Sequence, residues 1–168
     1  MTQTLEHPTA IDRLSIYKVS PELYDAMMRL STASAKDVDP TIGELIKIRA
    51  SQINHCAFCL DMHLTIARRH GVGEQQLDLL AAWEEAGDDV FDERERAALA
   101  LTEAVTVLTG GTSRTESGGG FVPDGVYATA AEHFDEPRLA HLIALIVAIN
   151  NWNRVMVGRR IPPGGYTP

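Results

Sequence analysis

Start and stop signals for helices recur along the whole chain, and no strong period-two run of β-branched residues lies between them. That punctuation favours an all-α fold over an α/β one. Ser20-Pro21 reads as an N-cap followed by a first-turn proline, and Leu23, Met27 and Leu30 recur at helical spacing from Glu22 to about Ala35. Asp39-Pro40 repeats the signal ahead of Thr41 to Ile53, where Ile42, Leu45, Ile46, Arg49 and Ile53 fall on one side. The next helix stops at Gly71, another runs from Glu74 to Glu85, and Asp92 opens one that reaches about Leu108. Pro123-Asp124 begins a short helix to Phe134, and Glu136-Pro137 begins the last, to Val157. The expectation is a helical domain of about six or seven helices spanning 1–168, with a polar arm over 1–19. A Gly, Ser and Thr rich loop over 110–120 is expected to be flexible.

Composition narrows the function classes. A net charge of -8 argues against a broad nucleic-acid surface, which needs clustered Lys and Arg. Met1 to Ile16 lacks the continuous apolar core of an export signal, and the most apolar run, Leu139 to Ile149, is eleven residues long with His141 inside it. Roughly 20 apolar residues are needed to cross a bilayer, so this run reads as a buried helix, with an oligomer interface as one way to cover it. A soluble cytoplasmic protein is expected, in which a disulfide would be transient and functional.

The chain has two cysteines, in Cys56-Ala57-Phe58-Cys59, and His63 follows four positions later. At about 100° per residue the three side chains share an arc of roughly 60°. Leu60, Ile66 and Ala67 accompany them, while Asp61, Thr65 and Arg68 point away, so the sulfurs face the interior or a pocket. Three chemistries fit. The thiols could be small buried hydrophobes with His63 a core histidine. They could form a redox pair, with unpaired N–H groups at the helix start and a nearby imidazole favouring thiolate. They could bind a metal, though a closed zinc site wants four ligands and here there is one pair, with His63 and His55 as further donors. A thioredoxin-type site needs a preceding strand, and Thr41 to Ile53 reads as helix.

Glu44 followed by eleven residues and then Cys56-X-X-Cys59-X-X-X-His63, across a helix-to-helix junction, resembles the alkylhydroperoxidase D-like branch of the carboxymuconolactone decarboxylase family. Asn54 to His63 follows that family's central motif, and Ile149-Asn150-Asn151-Trp152-Asn153-Arg154 resembles its last-helix segment. The resemblance implies an all-helical subunit in a trimer or hexamer, active on small or organic hydroperoxides. It makes Cys59 the peroxidatic thiol, Cys56 the partner that closes the disulfide, and His63 with Glu44 a proton relay. It implies a dithiol reductant, a lipoyl-bearing protein or another dithiol, and no metal or organic cofactor. Two positions depart from the pattern: Phe58 stands where some members have histidine, and His55 where glycine is frequent.

By periodicity alone Glu44 lies opposite Ile42, Leu45 and Ile53, beside Lys47 and Ser51, and reads as a solvated carboxylate. The resemblance makes it catalytic, which requires that another helix or subunit cover it. For Asn150 to Arg154 the expectation is structural, with amides satisfying buried groups and Trp152 packing; the other reading puts Trp152 at the hydroperoxide entrance. Two further functions stay in view, a lactone decarboxylase and a redox-sensing or partner-binding helical oligomer.

Overall fold

In the computed structural model, which describes residues 13–108, 121–164 and 166, the described residues form eight α-helices and no strand. They are α1 (Ile16–Val19), α2 (Pro21–Ser34), α3 (Pro40–Ile53), α4 (Ala57–Arg69), α5 (Glu74–Leu79), α6 (Glu93–Thr106), α7 (Asp124–His133) and α8 (Glu136–Arg159), with a 3-10 turn at Leu80–Ala82. The loop expected over 110–120 lies outside the described residues.

Local chemistry sets the boundaries. Asp39 accepts from the backbone N–H groups of Thr41 and Ile42, and Pro40 fills the first turn of α3. Asp92 and Glu95 form a reciprocal capping box at the start of α6. Gly71, at φ +87°, takes the left-handed conformation that ends α4.

Two elements depart from the periodicity. Residues 16–19 of the polar arm form a single helical turn, and Tyr17 meets Tyr24 edge-on across the corner into α2. The helix expected to reach Glu85 stops being α-helical at Leu79 and continues as the 3-10 turn, after which α6 holds the carbonyls. The Arg96 guanidinium donates to the oxygens of Trp83, Glu84 and Ala86.

Helix α3 is the axis of the fold. It packs against α4, α6 and α8, and it feeds two separate cores. Ile42 and Ile46 join α6, α7 and α8 around Leu101, Phe134, Leu142 and Ile146. Leu45 and Ile48 join α4, α5 and α6 around Leu77, Leu80, Phe91 and Leu99. Each such side chain contributes roughly 1.5–3 kcal/mol by leaving water. With apolar partners on two sides, α3 has no broad wet face: Glu44 and Ser51 are buried along with its aliphatic residues. The solvated reading of Glu44 is therefore corrected, and the cover comes from within the subunit.

Helix α8 is 24 residues long, and its most apolar window has a mean hydropathy of 1.2. Length alone would let it cross a bilayer, unlike the shorter run read from the sequence. It instead packs against α2, α3, α4, α6 and α7, with Leu142, Leu145, Ile146 and Ile149 in the interior and Val147 exposed. It is a core helix.

Candidate active site

Three residues, Asn54, His55 and Cys56, carry the chain from α3 into α4. His55 turns it with a left-handed φ of 55°. Asn54 is held from α8: its side-chain amide donates to the Oδ1 atoms of Asn150 and Asn153 at 2.9 and 3.0 Å. Asn153 in turn donates to Ser51 Oγ at 2.9 Å, and Asn150 to Thr106 Oγ1 at 3.0 Å. The last-helix amides thus do the structural work expected of them, fixing the turn that presents the cysteines. Removing a fully buried member leaves its partners unsatisfied at a cost of about 1–3 kcal/mol. Asn153→Ala is expected to lose that much unfolding free energy in a urea titration; an unchanged midpoint would show that the network does not hold the turn.

Cys56 occupies the N-cap of α4, one position before the first turn, and its Sγ accepts from the Cys59 N–H at 3.3 Å. The unpaired N–H groups of a helix start favour negative charge, so they favour thiolate at Cys56. Cys59 lies one turn inside, with a Cα–Cα separation of 5.3 Å, and the two sulfurs are joined as a disulfide. Both cysteines are 1% exposed. As the phasing predicts, Cys59, His63 and Ala67 are buried together on the inward face of α4.

Behind them sits Glu44, 3% exposed. Its Oε2 lies 2.8 Å from His63 Nδ1 and its Oε1 2.7 Å from Lys47 Nζ. Burial on its own would raise the carboxyl pKa. The hydrogen bond and charge of His63, with the Lys47 ammonium, outweigh it and hold the carboxyl below its ordinary range. An ionised carboxylate only accepts, so His63 must donate through Nδ1, which leaves Nε2 for proton transfer. Lys47 is the member of this cluster that sequence reading passed over. Its signal was present: an opposite charge three residues from Glu44.

Cys59, His63 and Lys47 line a cavity of about 440 Å³. Met28, Phe58, Leu145, Ile149 and Trp152 give it apolar walls. Trp152 meets Tyr24 edge-on at 5.5 Å between centroids and donates to Ser31 Oγ at 2.7 Å, which anchors α2 over α8. Trp152 therefore belongs to the cavity as well as to the packing. The part played by α2 had no signal in the sequence, since tertiary contact alone brings Tyr24 and Met28 there. The size and apolar lining suit a small organic ligand.

Comparison with known proteins agrees with this architecture. The chain is 39% identical over 146 residues to the uncharacterized protein YdfG of Bacillus subtilis (strain 168), covering 86% of this chain and 92% of that protein. It is 32% identical to the uncharacterized protein YnjA of Escherichia coli (strain K12) over 76% of this chain and 64% of that one. Among solved structures, an Agrobacterium tumefaciens protein of unknown function, proposed as the antioxidant defence protein AhpD, superposes with a TM-score of 0.79 at 36% identity, covering 93% of this chain and all of that one. The debrominase Bmp8 shares the fold, with a TM-score of 0.67 at 19% identity over 86% of this chain and 73% of its own. The family model for the carboxymuconolactone decarboxylase family matches residues 21–104, from α2 into α6 and across Glu44, Cys56, Cys59 and His63, and the chain belongs to that family.

Proposed function

We propose that the protein is a thiol-dependent peroxidase that reduces organic hydroperoxides and is reset by an external dithiol. The observation that carries this reading is the disulfide-linked Cys56–Cys59 pair, with Cys59 on an organic-sized cavity and a buried Glu44–His63 pair beside it. The Cys59 thiolate attacks the terminal oxygen of the hydroperoxide, the O–O bond breaks, and the alcohol leaves with a proton from the relay. Cys59 becomes a sulfenic acid. The Cys56 thiolate, favoured by its N-cap position, attacks the Cys59 sulfur and expels hydroxide, which leaves as water. Two electrons have passed from the thiols to the peroxide, and a dithiol returns them. His63 Nε2 is the base that draws the thiol proton, and Glu44 orients the ring and stabilises it when charged.

The test is a titration. Reduced protein mixed with stoichiometric cumene hydroperoxide is expected to lose two thiols and to turn over continuously when dihydrolipoate is supplied. Thiol loss without turnover would identify a redox sensor instead. In Cys56→Ser the first step survives and the second has no nucleophile, so a dimedone adduct is expected on Cys59 by mass spectrometry. Absence of the adduct, with peroxide consumed, would remove Cys59 from the role. The trimer or hexamer belongs to the same proposal, supported by Val19 and Leu23, which are 71% and 57% exposed. Sedimentation checks it.

A further inference from the structure

The disulfide has two sides, and they differ. Cys59 borders the apolar cavity of about 440 Å³. Cys56 borders a second, smaller cavity of about 280 Å³, which it shares with His55, Arg160 and Ile161. Phe58 and Met156 line both, so their side chains form the wall between them. The smaller cavity is flanked by exposed His55 and Arg160, two of the three non-glycine residues with left-handed backbone among the described residues. Arg160 caps α8 at a position where glycine is the low-strain choice. In a chain of net charge -8 this puts an exposed arginine on the same small cavity as a reducible cysteine.

We propose that oxidant and reductant reach the disulfide from these different sides: the hydroperoxide meets Cys59 through the apolar cavity, and an anionic dithiol meets Cys56 through the cavity at Arg160. This rests on the peroxidase reading. The dithiol thiolate attacks Cys56 Sγ, forming a mixed disulfide, and the S–S bond breaks with Cys59 leaving as the thiolate on the side of His63. The second thiol of the reductant, once deprotonated, attacks its own partner sulfur and closes its ring. Cys56 leaves as a thiolate, stabilised by the Cys59 N–H. The two protons of the dithiol end on the two protein thiols. Phe58, where histidine is an alternative in the family pattern, acts here as a partition, keeping the hydroperoxide from the side where the dithiol works.

The experiment crosses the two sides. Disulfide reduction is followed by thiol release with dihydrolipoate, which carries a carboxylate, and with neutral dithiothreitol, both without peroxide; oxidation of the reduced protein by cumene hydroperoxide is followed separately. Arg160→Glu is expected to slow dihydrolipoate about tenfold, with dithiothreitol and peroxide rates within about twofold of wild type. Arg160→Gly, which relaxes the backbone, is expected to show a smaller loss in the same direction. Met28→Trp, which narrows the apolar cavity, is expected to slow the hydroperoxide and to spare dihydrolipoate. A dihydrolipoate rate unchanged in both Arg160 variants, or slowed by Met28→Trp as much as the peroxide is, overturns the proposal. Because reduction is measured without peroxide, a protein that consumes no hydroperoxide at all would defeat the peroxidase reading while the Arg160 comparison still reports the side that the dithiol uses.

Discussion

Replacing Cys59 by serine is expected to lower peroxide consumption by at least about three orders of magnitude, to the level of the uncatalysed reaction. The thiolate is the species that attacks an O–O bond, and a serine hydroxyl gives no comparable anion near neutral pH. Cys59 is also the cysteine on the wall of the large cavity, next to His63, while Cys56 opens on the other side. The two serine variants should therefore separate. Cys56→Ser performs one turnover and stalls as a sulfenic acid, whereas Cys59→Ser performs none. A Cys59→Ser protein that sustained multiple turnovers with dihydrolipoate would end both the peroxidase reading and the assignment of roles within the pair. Stopped-flow measurement of hydroperoxide loss, with thiol counting before and after, reads both variants on one scale.

What the sequence made legible was the part written locally. Asp39, Asp92 and Gly71 mark helix ends through their own side chains or backbone, and the inward face of α4 follows from spacing alone. The cysteine spacing permitted redox, metal and packing readings, and the family resemblance was needed to order them. What stayed hidden was tertiary. Glu44 looks solvated on a helical wheel because the wheel does not show that α3 is enclosed by three other helices. The helix after Glu74 gives way early to a 3-10 turn, and the carbonyls past it are held by Arg96, thirteen residues beyond Trp83, a contact no local pattern shows. Tyr24 and Met28 reach the cavity because α2 packs on α8, a contact that includes the bond of Trp152 to Ser31, 121 residues away. Side chains that act across helices leave no periodic trace, and Lys47, whose spacing from Glu44 did give a signal, gains its place in the cluster only once Glu44 is seen to be buried.

Glu44→Gln should separate the relay from the scaffold. The amide keeps the shape of the carboxylate and can still meet His63 Nδ1, yet it no longer stabilises a positive ring or balances the Lys47 ammonium. General acid–base partners contribute about 10²–10⁴-fold, so peroxide consumption is expected to fall by about 10²-fold while the disulfide still forms and is still reduced by dithiothreitol. Stability should change with a definite sign. The folded carboxyl pKa lies below its ordinary value near 4.5, so its stabilising contribution is complete above that pH and is lost as pH falls through the folded value. Near pH 7, Glu44→Gln should be less stable than wild type by about 3–5 kcal/mol, since one partner of a buried charged cluster is gone. As pH falls below the ordinary carboxyl value and then through the lower folded one, the two urea curves should converge, because wild type then carries a protonated, neutral Glu44 as well. An offset that does not shrink anywhere between pH 7 and the acid limit of folding would mean that packing, and not charge, is what Glu44 supplies. Full peroxidase activity in the variant would remove it from the relay whatever the stability shows. If the rate falls and the curves converge, the same ionised carboxylate both holds α3 to α4 and sets the proton on His63, and catalysis and acid stability are expected to fail together as Glu44 is protonated.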